Sequence, residues 1–184
     1  MKKIIKGHVD VSNLYLDKLP DFFVGVDIEG YFYCKANQLT SLEGAPLSVG
    51  SSFDCSYNKL TSLEGAPRSV GNMFYCHHNK LTTLKGSPQS VGDSFYCYDN
   101  QLVSLVGGPQ EVGGSFYCEL NNLTSLKGAP QRVEGSFHCY NNKLTTLEGA
   151  PKYVGSNFYC RDNSVEFTEE QVRAVCDVRG GVYV

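Results

Sequence analysis

The chain has no tryptophan and only two methionines in 184 residues, and its formal charge is nearly balanced at -3. So small a net charge leaves no basic footprint for nucleic acid and no polybasic anchor for a membrane surface. Nowhere do 18 apolar residues run together, and the opening MKKIIKGHVDVSNLYL lacks an apolar stretch of signal-peptide length. A CxxC pair, a glycine-rich phosphate loop and a Ser/His/Asp set are also missing. Those absences argue against structural zinc, nucleotide and acyl-transfer chemistry. The expectation is a soluble, unexported, cytoplasmic protein without a cofactor.

What the chain has in abundance is repetition. Cys34, Cys55, Cys76, Cys97, Cys118, Cys139 and Cys160 recur every 21 residues, each two after a phenylalanine and three before an asparagine. A fixed period near twenty residues marks a solenoid, in which each turn buries its apolar edge only against its neighbours. One cysteine at one structural position per turn is not a disulfide framework, and thiols in a line are not a zinc tetrahedron. The position asks for a small hydrophobe, which a buried thiol supplies. Eight reduced cysteines also suit a reducing compartment.

One unit reads VGSSFDCSYNKLTSLEGAPRS, with Val49, Phe53, Cys55, Leu60 and Leu63 as its apolar positions. Phe-x-Cys is a period-two strand with both side chains on one face. Asn58 is expected to hydrogen-bond the backbone of its own turn and of the next repeat. Gly65-Ala66-Pro67 ends the arc, and proline there blocks a long helix. The outer side should therefore consist of short turns or 3-10 segments. Residues 1–27 read as an amino-terminal cap with a degenerate repeat around NLYLDKLPDFF. Residues 28–163 hold the repeats, and 164–184 a second cap. In that cap Thr168 opens a capping box with Gln171 for a short helix through about Cys176. Phe167, Val172 and Val175 should face the last repeat, and Val182-Tyr183-Val184 should form a final strand.

FDCSYNKLTSL matches the LxLxxNxLxxL core of leucine-rich repeats, with Phe and Cys in the first two leucine positions. The trailing LTSLEGAPRSV resembles the short repeats of bacterial effector proteins, one residue longer at 21. The GAP-x-x-VG variant and the ending FTEEQVRAVCDVRGGVYV are similar to an uncharacterised subfamily encoded by bacteriophages. The resemblance implies a leucine-rich-repeat-like solenoid of seven to eight parallel strands with a carboxy-terminal helical cap. Effector ligases with such repeats carry a Cys-x-Asp catalytic motif. Here Cys176-Asp177 lacks that spacing and the helical ligase domain is absent, so no enzymatic activity is expected.

Alternation puts the residues beside Phe and Cys on the opposite, outward face. Between them stand Tyr33, Asp54, Tyr75, Tyr96, Tyr117, His138 and Tyr159. Directly after the cysteines come Lys35, Ser56, His77, Tyr98, Glu119, Tyr140 and Arg161. Tyrosine presents a rigid contact area with a polar tip, favoured where proteins recognise proteins. Stacked aromatics also stabilise a sheet without binding anything. The breaks at Asp54, His77, Glu119, His138 and Arg161 are what a specific surface would carry. On a solvent-facing strand face, Tyr96→Ala should leave folding nearly unchanged.

Two catalytic constellations fail on geometry. His77 and His78 are neighbours on a strand and should point apart, which spoils a metal site. Cys139 should be buried and inert, facing away from His138. The reading is a protein-binding module, monomeric or homo-oligomeric, that docks a protein partner on a concave tyrosine-rich face. Given the resemblance to phage proteins, an inhibitor of a bacterial defence or regulatory protein is one expected role. A glycan, nucleotide or other small-molecule binder and a self-assembling structural protein remain open alternatives.

Overall fold

In the computed structural model, which describes residues 3–184, the chain winds through nine turns built on two nine-stranded sheets. Every strand pair is parallel and in register. Phe53 lies beside Phe32 and Phe74, and Val70 lies beside Val49 and Val91. One sheet, called here the tyrosine sheet, takes the Phe-Tyr step of each repeat, as at Phe74–Tyr75 and Phe95–Tyr96. The other, the valine sheet, takes the two-residue step that ends on the valine of each repeat, as at Ser69–Val70 and Ser90–Val91.

The core lies between them. Phe, Cys and both leucines of the repeats are almost wholly buried, and the valine of each repeat closes the other side. The seven phenylalanines form a continuous stack, with successive ring centroids 5.2–5.8 Å apart. Full burial of such a ring is worth about 1.5–3 kcal/mol. Cysteine meets a double requirement. Its small side chain fits beneath the stack, and its thiol donates to a neighbouring carbonyl, Cys55 Sγ to Tyr75 O and Cys76 Sγ to Tyr96 O at 3.3 Å. All eight cysteines are free and buried.

The asparagines staple each turn to the one before it. Asn58 Oδ1 accepts from Leu39 N–H at 3.0 Å, while its Nδ2 donates to the carbonyls of Cys34, Cys55 and Ser56. The expected partner was the next repeat; the observed one is the preceding repeat. The residue before each asparagine bends the chain through a left-handed conformation, from Ala36 to Asp162 at φ 50–55°. That bend carries the amide back over the turn already laid down.

The valine sheet is a second departure from expectation. The outer side holds nine short strands where turns or 3-10 segments were expected, and Asp21–Phe23 is the sole 3-10 segment among the described residues. The Val-Gly pair explains it. A Cβ on Gly92 would sit 2.0 Å from Gly71 O, so glycine favours the close approach of successive turns, although Glu134 takes the same position and its strand still pairs on both sides.

At the amino end Lys3–Ile5 and Val9–Asp10 extend the two sheets, and Leu19 and Phe23 cover the first core layer. At the carboxy end the helix Glu169–Val175 starts on a capping box between Thr168 and Gln171, and Val182–Tyr183 closes the tyrosine sheet. Val172 is buried against the core, while Val175 is 39% exposed and lines the concavity between the helix and the turn around Leu147. Val172 is the one fully buried residue of this seven-residue helix. No helix among the described residues is long and apolar enough to cross a membrane.

Candidate functional site

Two columns of side chains run side by side across the outer face of the tyrosine sheet. The first, one residue before each cysteine, pairs Tyr33 with Asp54, Asp54 with Tyr75, and so on through Tyr96, Tyr117, His138 and Tyr159 to Tyr183. From Tyr75 to Tyr183 six rings stack without a gap at 4.4–4.6 Å between centroids. The parallel register and the strand spacing of about 4.8 Å impose this separation on any aromatic at that position.

The second column, one residue after each cysteine, is mixed. His77 stacks on Tyr98 at 4.5 Å, and Arg161 lies over the Tyr140 ring at 5.3 Å. Glu119 stands between Tyr98 and Tyr140. Lys35 reaches across to Asp54, with 3.6 Å between Nζ and Oδ2. Asp54 Oδ1 in turn accepts from the Ser56 backbone N–H at 3.0 Å and from its hydroxyl at 2.5 Å.

Alternation places these side chains on the outer face, but not in open solvent. Tyr33, Tyr75, Tyr96, Tyr98, Tyr117, Tyr140, Tyr159, His77 and His138 are half-buried, Asp54 and Glu119 are buried, and Arg161 alone is exposed. Neighbouring rings cover each other's faces, so only edges and polar tips remain accessible. Tyr96, held between Tyr75 and Tyr117 at 4.6 Å on both sides, therefore contributes to folding, contrary to the expectation for a solvent-facing ring.

Burial also sets the electrostatics. Desolvation pushes Glu119 up to about 7, against smaller opposing effects of a backbone hydrogen bond and one from Tyr140. His77 and His138 are pushed down to about 4 by desolvation, so both are neutral at pH 7. Tyr75 and Tyr98 are raised to about 12, first by burial and then by neighbouring tyrosines and acids. Two buried polar atoms on this face, His77 Nδ1 and Glu119 Oε2, have no hydrogen-bond partner.

The chemistry available here is recognition. His78 sits in the left-handed bend and pairs with Asp99 at 2.5 Å; its ring lies 5.3 Å from that of His77, because the bend turns it back beside its neighbour instead of pointing it apart as expected. No group of three metal-ligating side chains forms among the described residues. The core thiols are raised well above the ordinary cysteine range by burial, which makes them poor nucleophiles. Two larger concavities lie off this face. One, of ≈770 Å³, runs along the valine sheet over Gly71, Gly92 and Gly113. The other, of ≈570 Å³, lies between the turn around Leu147 and the carboxy-terminal helix.

No family model matches the chain, and no curated protein matches it. Among solved structures it is similar to the leucine-rich-repeat domain of a Shigella effector, with a TM-score of 0.66 at 19% identity. The match covers 96% of this chain and 80% of that one. Such a likeness concerns the backbone path: the chain is a leucine-rich-repeat-like parallel solenoid.

Proposed function

We propose that the chain is a non-enzymatic protein-binding module whose partner docks on the tyrosine face. One observation carries the reading: an unbroken stack of six rings flanked by a column of His, Tyr, Glu and Arg side chains. Packing alone accounts for the stack. It does not account for a buried carboxyl group and a neutral imidazole on the same face, each with one polar atom left without a hydrogen-bond partner at a cost in stability. Solenoids commonly use one extended face for recognition. The partner class favoured by the resemblance to phage-encoded repeats is a bacterial defence or regulatory protein, met in the cytoplasm.

The test is capture from bacterial lysate by the native chain, by Tyr96→Ala/Tyr117→Ala, and by a control altered on the valine sheet, Gln110→Ala/Arg132→Ala. A stoichiometric partner lost only from the tyrosine variant supports the reading, provided that variant keeps its circular dichroism. Equal capture by all three contradicts it. A concentration-dependent size on gel filtration without any captured protein would favour self-assembly.

A further inference from the structure

The tyrosine stack has one missing ring. Asp54 occupies the position between Tyr33 and Tyr75 in the first column, and the small Ser56 lies beside it in the second. Both columns thus lose bulk at the same turn, leaving a cavity of ≈300 Å³ walled by Tyr33, Tyr75, Tyr57 and His77. Two strand steps separate the flanking tyrosines by about 9.5 Å. A planar group in contact on both faces needs about 7–8 Å. Tyr33 stacks on Tyr31 at 4.1 Å and has Lys35 Nζ 5.6 Å from its ring centre, so a ring entering the gap packs chiefly on Tyr75, with Tyr33 and Lys35 at its other side.

The floor selects the ring's chemistry. Asp54 Oδ1 is already taken by Ser56, and Oδ2 has Lys35 Nζ at 3.6 Å. The carboxylate thus has its cation, which disfavours a second one such as a guanidinium. A hydroxyl placed there can donate to Asp54 Oδ2 and accept from Lys35 Nζ together, which neither a benzyl ring nor a guanidinium can do. His77, packed on Tyr98 and against Tyr57, closes the wall.

Building on the protein-binding reading, we propose that this notch receives a tyrosine side chain of the partner, whose ring extends the stack from Tyr75 towards Tyr33. It would act as an anchor, a desolvated aromatic in a fitted pocket.

The test uses N-acetyl-tyrosinamide, N-acetyl-phenylalaninamide and N-acetyl-argininamide, titrated into the full chain and followed by NMR. A single anchoring ring binds at about millimolar Kd. The tyrosine probe should give saturable shifts at Asp54, Ser56 and His77, several-fold tighter than the phenylalanine probe. Asp54→Tyr, which fills the gap from within, should abolish them while the fold stays intact. Asp54→Asn keeps the cavity and should retain binding while losing much of the preference for tyrosine. The proposal is overturned if no saturable shift appears by about 10 mM, ten times the fragment-scale Kd. It is equally overturned if Asp54→Tyr still binds, or if the arginine probe binds tightest. A captured partner that binds Asp54→Tyr as well as the native chain, yet is lost from Tyr96→Ala/Tyr117→Ala, would remove the notch and leave the tyrosine-face reading standing.

Discussion

Replacing Asn100 by alanine tests how the turns are held together, and its cost follows from the hydrogen bonds. Asn100 Oδ1 accepts from Leu81 N–H at 2.9 Å, and Nδ2 donates to the carbonyls of Cys76, Cys97 and Tyr98 at 3.1–3.2 Å. Four contacts are lost, but not four independent ones. Cys76 O keeps a donor in Asn79 at 3.2 Å, and Cys97 O keeps one in Asn121 at 3.1 Å. Leu81 N–H has no other acceptor among the described residues, and Leu81 is 0% exposed. The loss thus reduces to one orphaned buried donor and weakened acceptors, about 1–3 kcal/mol. Urea unfolding, followed by circular dichroism and tyrosine fluorescence, measures it if the two transitions coincide. Gln101→Ala, at the exposed neighbouring position, is the control and should stay within about 0.5 kcal/mol of the native chain. If Asn100→Ala costs no more than that control, the amide staple is not what fastens one turn to the next.

Three further outcomes follow from burial and backbone conformation. Glu119, raised to about 7 in the folded state, favours its protonated form there, so its contribution is present below about pH 4.5 and is lost as pH rises through 7. Glu119→Gln should therefore match the native chain near pH 4.5 and exceed it at pH 8 by on the order of 2–3 kcal/mol, measured by urea unfolding at both pH values. His138, lowered to about 4 by burial, works in the opposite sense, and stability should fall as pH drops from 6.5 towards 4. His138→Phe, which keeps a ring between Tyr117 and Tyr159, should reduce that acid loss in pH-dependent melting. Leu120 is 47% exposed in a left-handed conformation at φ 55°, so Leu120→Asn should raise stability by about 0.5–1 kcal/mol in denaturant titration.

The period, the inward face and the asparagine turns were legible because each repeats seven times with one residue type at one spacing. The valine sheet was not. Its strands are two residues long in the repeats, with one inward valine each, too short for a period-two pattern to register. The Val-Gly pair carried the signal, since glycine at a fixed position in a solenoid marks backbones in close approach. Alternation also gave the side of the sheet on which Tyr96 and Glu119 lie. It could not give their burial, because that depends on what flanks them across strands. Tyr98 and Tyr140 cover Glu119, as Tyr75 and Tyr117 cover Tyr96. The notch at Asp54 is visible only when both columns are read together. A single Asp in a tyrosine column is a substitution, whereas Asp54 beside Ser56 is a gap.

The most direct test of the tyrosine face as the binding surface is side-chain oxidative footprinting of the chain, free and bound to the partner it captures. Binding there should protect Tyr75, Tyr96, Tyr98 and Tyr117 while leaving Tyr153, on the valine sheet, at its free rate. Protection of Tyr153 with unchanged labelling of the other four would contradict the account and move the interface to the opposite sheet.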